Sequence, residues 1–299
     1  MGDYRGYKLV SMPPPSSGGV LLVQMLNMLE PYDLGKLGVG SSEVIHLMIE
    51  AERRAYADRA EHLGDSDFYD VPIETLISKD YARERFLDFD PNKASVSADI
   101  FAGVAAKEGL ETTHASVIDA MGNAVAYTTT LNLSYGSKIV VSGAGFLLNN
   151  EMTDFSRKVP DDGSKLANAV APNRRPRSSM SPTMIFDKYN NLLMITGSPG
   201  GNSIPAYVSK TILGVFDWGL SAQKAVDLPN IVARGEKVKI ESSRQGKKIK
   251  RQLKKEGYKV SDFGRNEVSG LHLITVLPSK LDGAYDKRRE GKVVYLNEK

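Results

Sequence analysis

The sequence predicts an α+β fold built in layers, and three observations carry that prediction. Apolar periodicity comes in blocks: helical first, then paired strands, then helices, then strands. This differs from the regular strand–helix alternation of a parallel sheet. Two segments read as β-hairpins, because alternating runs flank short turn sequences. The chain also has the size and composition for a core, with 299 residues, 41% hydrophobic and 25% charged, as in an ordinary globular protein rather than a disordered one.

Taken in order, Met12-Pro13-Pro14-Pro15-Ser16-Ser17-Gly18-Gly19 reads as a loop, stiff and then flexible, that is not helical. The apolar run Val20–Leu29 predicts a buried helix. Ser41 or Ser42 stands where an N-cap belongs, ahead of a longer helix with apolar positions at Val44, Ile45, Met48, Ile49 and Ala55. Residues 65–102 mix short helical pieces with polar loops. HASVIDA and AVAYTTT alternate around Met121-Gly122-Asn123, the first hairpin. Thr183–Phe186 and Leu192–Thr196, turned by Tyr189-Asn190-Asn191, make the second. Val208–Phe216 and Ser221–Val226 predict helices, and Leu271–Leu277 and Val293–Leu296 predict strands. Between Arg244 and Lys259 lie Lys247, Lys248, Lys250, Arg251, Lys254 and Lys255, with Ile249 and Leu253 four apart among them and Gly257 as a stop. This predicts a solvated surface helix with a narrow apolar stripe; a polyanion-binding helix would be better supported by interleaved aromatics, which are missing here.

Composition excludes several chemistries. Thirty-nine Lys and Arg against thirty-six Asp and Glu leave a net charge of +3, too small a surplus to imply a nucleic-acid partner. With no cysteine, there is no disulfide, thiolate nucleophile or cysteine-held zinc. The four histidines, His46, His62, His114 and His272, do not stand at metal-ligand spacing, so no metal site is expected. No cofactor motif is present. The opening MGDYRGYKLV has no apolar h-region and no run of eighteen apolar residues occurs, so neither a signal peptide nor a membrane span is expected.

Five small polar clusters remain. Thr112-Thr113 opens the first hairpin and Thr128-Thr129-Thr130-Leu131-Asn132 closes it. Asn149-Asn150-Glu151-Met152-Thr153-Asp154 follows an apolar run, Ser178-Ser179-Met180-Ser181-Pro182-Thr183 precedes a strand, and Gly197-Ser198-Pro199-Gly200-Gly201-Asn202 joins a strand to a helix. Each has an ordinary explanation in strand ends and turns. The glycine-rich loop is the most suggestive, since backbone N–H groups at a helix N-terminus can hold an anion. It lacks the lysine and the Ser/Thr placement of a phosphate-binding P-loop.

In this order the clusters resemble one family, the γ-glutamyltranspeptidases or glutathione hydrolases. The resemblance is carried by MPPPSSGG at 12–19, AYADR at 55–59, TTHASVID at 112–119, TLN at 130–132, LLNNEMTDFS at 147–156, APNRRPRSSMSPT at 171–183 and TGSPGG at 196–201. It implies the four-layer αββα sandwich of the N-terminal nucleophile hydrolases, with the N-terminal part incomplete. It also implies self-cleavage between Glu111 and Thr112 into two subunits of one precursor: residues 1–111, the mostly helical end of a large subunit, and residues 112–299, the small subunit. Thr112 would then be the nucleophile. A free α-amine with a pKa of about 7.7–8.0 would serve as its base, where an internal amide nitrogen would not.

By the same resemblance Thr130 hydrogen-bonds the nucleophile and Gly200 and Gly201 form an oxyanion hole. Asn132, Glu151 and Asp154 hold the substrate α-ammonium, and Ser178 and Ser179 its α-carboxylate. The expected substrate is a small molecule, glutathione or another γ-glutamyl amide, cleaved through a γ-glutamyl-threonine acyl-enzyme. Family members carry a long segment ahead of GDYRGY, usually with a secretion signal, which implies a periplasmic or extracellular enzyme and a missing N-terminal segment as a further partner. That segment normally supplies an arginine for the carboxylate, and no arginine here stands in a matching context. Two alternatives follow: a non-catalytic half that needs a separately made N-terminal piece, or a related hydrolase of γ-linked polyglutamate. The latter gains from Arg157–Ala167, which has no aromatic residue to cover the pocket. A cephalosporin-type acylase keeps the fold with a simpler acyl pocket.

Overall fold

The computed structural model describes residues 1–96, 100, 111–156, 166–264 and 268–296. Its centre is a six-stranded sheet, antiparallel at every pairing, in the order β1 (Gly2–Tyr4), β2 (Tyr7–Val10), β5 (Thr183–Phe186), β6 (Leu192–Gly197), β10 (His272–Leu277), β11 (Lys280–Tyr285). Helices cover one face: α1 (Gly18–Leu29) and α6 (Ile204–Phe216) lie next to the sheet, and α3 (Ser42–His62) packs on α1. Leu9, Ile185, Met194 and Leu273 of the strands share one core with Leu22, Met25, Val44, Ala51, Val208 and Ile212 of the helices. On the opposite face lies a two-stranded hairpin, β3 (Glu111–Ile118) with β4 (Ala124–Asn132). The class is therefore α+β, as the sequence predicts.

The helices form where the sequence places them, with local shifts. Ser41 is the N-cap of α3, its side chain accepting the Val44 N–H at 3.3 Å. Helix α1 begins at Gly18 rather than at Val20. The two glycines are helical because they lie against another segment: a Cβ on Gly18 would stand 2.2 Å from Ser181 Oγ and 2.6 Å from the Met180 carbonyl oxygen. Helix α6 likewise starts four residues before Val208, after a 3₁₀ turn at Gly201–Ser203. Short helices α2 (Leu34–Leu37), α4 (Ile73–Leu76), α5 (Lys79–Arg85) and α7 (Ala222–Asp227) complete the set. The lysine-rich segment is a surface helix, α8 (Arg244–Lys255), with Ile249 and Leu253 buried against Ile45 and Ile49 of α3.

Three strand assignments needed the tertiary structure. Val293–Leu296 is not a strand. The partner of β10 is instead β11, reached through a turn at Pro278-Ser279, and Tyr295 only receives the Gly283 N–H on its hydroxyl at 3.2 Å. The polar KLDGAY of β11 lacks a clear alternation, whereas VVYL is apolar without a ladder to join. The chain opens with a hairpin rather than a helix: Arg5 and Gly6 have φ of 50° and 79°, the doubly left-handed turn that suits tight hairpins. A small sheet, β7 (Ile231–Ala233), β8 (Lys237–Ile240), β9 (Lys259–Asp262), packs between α3 and α8. Among the described residues no helix is long and apolar enough to cross a membrane.

Candidate active site

Thr112 lies in β3 where the hairpin ladder breaks. Glu111 faces Asn132 and Thr112 faces Thr130, so Leu131 bulges out between them. Asn132 takes a left-handed φ of 73°, a conformation that asparagine tolerates better than most residues. The bulge turns the Thr130 hydroxyl toward the strand opposite. It donates to the Glu111 carbonyl oxygen at 2.6 Å and accepts the Asn132 N–H at 2.8 Å. The carbonyl so held belongs to the peptide bond that joins Glu111 to Thr112.

His114 seats the hairpin on the sheet. Its ring lies on Gly197, where a Cβ would come within 2.3 Å of Cε1. Both ring nitrogens are engaged, Nδ1 with Thr128 Oγ1 at 2.7 Å and Nε2 with Ser116 Oγ at 3.0 Å. Burial, assisted by the neighbouring His272, pulls its pKa down to about 3. His114 is therefore a neutral structural wedge, and its fixed position brings Thr112 beside the loop after β6.

From Thr130 a chain of hydrogen bonds leads into the acidic cluster. Asn132 Nδ2 donates to Asp154 Oδ1 at 2.7 Å and to Thr153 Oγ1 at 3.0 Å. The 3₁₀ turn Glu151–Asp154 brings the two carboxyl groups together. Burial, with the charge of Asp154 and a hydrogen bond to it adding to the effect, pushes the Glu151 carboxyl up to about 7. Glu151 Oε1 is buried with no hydrogen-bond partner in the structure. Two carboxyl groups and one amide oxygen in a partly buried cluster suit a cation.

The serine cluster is held by two motifs that meet it. Ser17 donates to the Ser178 carbonyl through its N–H at 2.9 Å and its hydroxyl at 2.7 Å, and the Ser178 N–H donates to Pro15 O at 3.1 Å. Ser178 Oγ accepts the Met180 N–H at 3.2 Å. Arg59, wholly buried in α3, donates Nε–H to Ser17 Oγ at 2.7 Å and Nη2–H to Ser179 Oγ at 2.8 Å. Burial and the charge of Arg177 pull its pKa well below the ordinary value, and Asp154 opposes them. Arg177 also feels the Asp154 charge, though burial dominates and brings its pKa to about 10. One guanidinium thus ties the MPPPSSGG loop to the serine pair and places positive charge near Asp154.

The glycine loop leaves β6 and turns into α6. Gly200 and Gly201 are buried with φ of 135° and 55°. A Cβ on Gly200 would meet Tyr207 Cε2 at 2.6 Å. Pro199 of this loop shares with Thr112 a cavity of about 460 Å³, whose far wall is Val268, Gly270, His272 and Arg288–Glu290. The structure therefore links Thr112, Thr130, Asn132, Glu151 and Asp154 in one run. It joins Ser178 and Ser179 to that run through Arg59 and brings the glycine loop beside Thr112. The sequence signalled Arg59 only as part of AYADR. It gave no sign of His272, Arg288 or Arg289, which chain distance separates from every motif. Residues 157–165, most of the loop without aromatics, lie outside the described residues.

Comparisons with known proteins identify the family of the chain. The sequence model of the gamma-glutamyltranspeptidase family matches residues 1–296. A glutathione hydrolase proenzyme of Escherichia coli strain K12 is 49% identical over 234 residues, 76% of this chain and 40% of the relative. An acylase ACY 1 proenzyme of Pseudomonas sp. strain SE83 is 36% identical over 297 residues, 99% of this chain and 51% of the relative. The chain thus spans about half, or less, of the length of these relatives. An acivicin-inhibited gamma-glutamyltranspeptidase superposes with a TM-score of 0.54 at 38% identity, over 60% of this chain and 100% of that one. The cephalosporin acylase of Bacillus halodurans superposes with a TM-score of 0.85 over 99% of this chain and 52% of that one, at 23% identity, a likeness of fold alone. With a family match over nearly its whole length and a fold shared with these enzymes, the chain belongs to the gamma-glutamyltranspeptidase family of N-terminal nucleophile hydrolases.

Proposed function

We propose that this chain is the catalytic part of a γ-glutamyl hydrolase and transferase that cuts itself between Glu111 and Thr112. The carrying observation is the Thr130 hydroxyl, 2.6 Å from the Glu111 carbonyl oxygen at the broken ladder. Attack by Thr112 Oγ on that carbonyl carbon develops negative charge on the oxygen where Thr130 already donates. The Glu111–Thr112 C–N bond breaks, the hydroxyl proton passes to the departing nitrogen, and an ester joins Glu111 to Thr112 Oγ. Water then hydrolyses the ester, leaving Thr112 with a free hydroxyl and a free α-amine. That amine is the base which the uncut chain lacks.

In the cut protein Thr112 attacks the γ-carbonyl of a γ-glutamyl amide such as glutathione, the amine portion leaves, and water or another amine resolves the acyl-enzyme. Glu151, Asp154 and Asn132 take the α-ammonium; the unpartnered Glu151 Oε1 supports this. Ser179, oriented by Arg59, takes the α-carboxylate with Ser178. N–H groups at Gly200 and Gly201 stabilise the oxyanion. The subunits are 1–111 and 112–299. This division is supported by the gamma-glutamyltranspeptidase chain matched in full by 60% of this one, since 112–299 is a similar share of 299 residues. By its family the complete protein is periplasmic or extracellular.

A second reading has its own observation. The outer face of the β3–β4 hairpin exposes Val117, Val125 and Tyr127, and the segment after it exposes Tyr135, Ile139, Val140 and Phe146. Apolar surface of this extent marks an interface, and the relatives have the additional chain to cover it. On this reading the chain works with a further N-terminal polypeptide, supplied in the same precursor or separately.

Intact-mass measurement during incubation tests the main reading. Fragments 1–111 and 112–299 are expected, Thr112→Ala should yield neither, and cleaved protein should release amine from a γ-glutamyl anilide. An uncut chain, with and without the added N-terminal polypeptide, would refute self-cleavage. Turnover that appears only with that polypeptide would favour the second reading.

A further inference from the structure

We propose that Tyr56 is a positioning residue for turnover: its hydroxyl, donating to the Asn202 carbonyl oxygen, holds the Gly200–Gly201 turn at a set distance from the serine pair. The proposal rests on the reading in which the Gly200 and Gly201 N–H groups stabilise the oxyanion of a γ-glutamyl substrate.

Helix α3 carries Glu52, Tyr56 and Arg59 at i, i+4 and i+7, the spacing of a single helix face. All three are buried, and each reaches a different segment. Glu52 Oε2 accepts the Ala233 N–H of β7 at 2.6 Å. The Tyr56 hydroxyl donates to Asn202 O at 2.5 Å. Arg59 holds Ser17 and Ser179. Arg59 stands three residues after Tyr56, a rise of about 4.5 Å along the axis. One helix therefore spaces the glycine loop from the serine that takes the α-carboxylate. A γ-glutamyl group has to bridge these two places, with its α-carboxylate at one and its reacting carbonyl at the other.

The loop is held near both ends. At its start Ser198 Oγ accepts the Gly270 N–H at 3.1 Å. At its end the turn Gly201–Ser203 runs into α6, with the Ser203 N–H donating to Gly200 O at 3.2 Å. The ring of Tyr207 lies against Gly200, but Tyr207 belongs to α6 and moves with the turn. Tyr56 comes from a different helix, so it relates the turn to the rest of the site. The N–H groups and carbonyls of a helical turn point opposite ways along its axis. A hydroxyl that fixes the Asn202 carbonyl thus also fixes the direction of the N–H groups at the start of the turn. The phenol stays protonated, and so a donor, because burial, with Glu52 adding to the effect, raises its pKa well above the ordinary value.

Self-cleavage, on the proposed mechanism, does not use this loop. Its oxyanion is the Glu111 carbonyl oxygen, which Thr130 holds. Tyr56 therefore separates two reactions of Thr112: loss of its hydroxyl impairs turnover of added substrate and spares cleavage of the chain.

Tyr56→Phe tests this in the full chain, with the N-terminal polypeptide added where turnover requires it. The kcat for a γ-glutamyl anilide is expected to fall about 10- to 100-fold, part of the effect of losing an oxyanion donor outright. KM should be unchanged, since the groups that bind the substrate in its ground state are untouched. Intact-mass kinetics should show self-cleavage at the parental rate, which also reports that the variant folds. Hydrogen exchange needs no turnover: in Thr112→Ala, adding Tyr56→Phe should speed exchange severalfold at residues 200–208 and leave the β3–β4 hairpin unchanged. Unaltered kcat, a fall in kcat and self-cleavage by the same factor, or unchanged exchange in the loop overturns the proposal. A variant that neither folds nor cuts itself overturns it too, by making Tyr56 a residue of the core. A parent with no turnover would defeat the oxyanion reading, and the exchange measurement would still decide whether Tyr56 holds the loop.

Discussion

Replacing Thr130 by valine removes one oxygen and little volume, so its consequences can be worked from two bonds. The Thr130 hydroxyl donates to the Glu111 carbonyl at 2.6 Å and accepts from the Asn132 N–H at 2.8 Å. Losing the acceptor leaves the Asn132 amide unpaired in a buried residue, a cost of about 1–3 kcal/mol to stability. Losing the donor affects the self-cleavage transition state. A single oxyanion donor is worth roughly 10²–10³ in rate, or about 3–4 kcal/mol. Thr130→Val is therefore expected to fold with a modestly lower melting temperature and to cut itself at least ~100-fold more slowly. Thr130→Ser retains the hydroxyl and should remain within about tenfold of the parent, the difference reflecting its freer rotamer. Intact-mass kinetics at matched temperature separate the two effects, because circular dichroism reports the fold independently. If Thr130→Val cuts at the parental rate while remaining folded, the hydrogen bond to Glu111 plays no part in the cleavage, and the mechanism proposed from it is wrong.

Two other predictions concern the cluster and the glycine loop. Burial raises Glu151 to about 7, so between its ordinary range near 4.5 and that value the folded protein binds more protons than the unfolded one. Its ionisation then costs stability as pH climbs through that window. An ammonium ligand favours the ionised form, so γ-glutamyl binding should release a proton near neutral pH and weaken below about 7. Calorimetry in buffers of different ionisation enthalpy reads this, and Glu151→Gln should abolish it; proton uptake would contradict the assignment. Gly200→Ala places a methyl 2.6 Å from the ring of Tyr207, which is 1% exposed and has nowhere to move. Overpacking at a left-handed position predicts a loss of about 2–4 kcal/mol in stability, measured by urea unfolding; a loss below 1 kcal/mol would mean that the loop relaxes freely.

Much of the site was readable because its parts are local. Turn chemistry marked the hairpin around Met121-Gly122-Asn123, where Asp119 Oδ1 receives the N–H groups of Met121 and Asn123 at 2.9 and 2.8 Å. The spacing of Ile249 and Leu253 marked the buried stripe of α8 correctly. Polar residues clustered within short stretches at Thr112, Glu151 and Ser178 stand out as clusters from their spacing along the chain alone. The strand at 293–296 failed for the opposite reason. Apolar residues score as a strand wherever they occur, whereas a ladder needs a partner edge, and β11 had already taken the edge of β10.

The sequence by itself determined the class of fold, the main helices, the hairpins β3–β4 and β5–β6, the family resemblance and the chemical type of each cluster, because these depend on residues close together in the chain. Only the tertiary structure decided that Arg59 links the serine pair to the loop 42 residues before it, and that Arg289 reaches back across 178 residues to Glu111. It also showed that Glu151, among neighbours that exclude water and set Asp154 against it, differs from an exposed acid. Charge, burial and reach across a folded chain are properties of neighbours in space, and local spacing along the chain does not supply those neighbours.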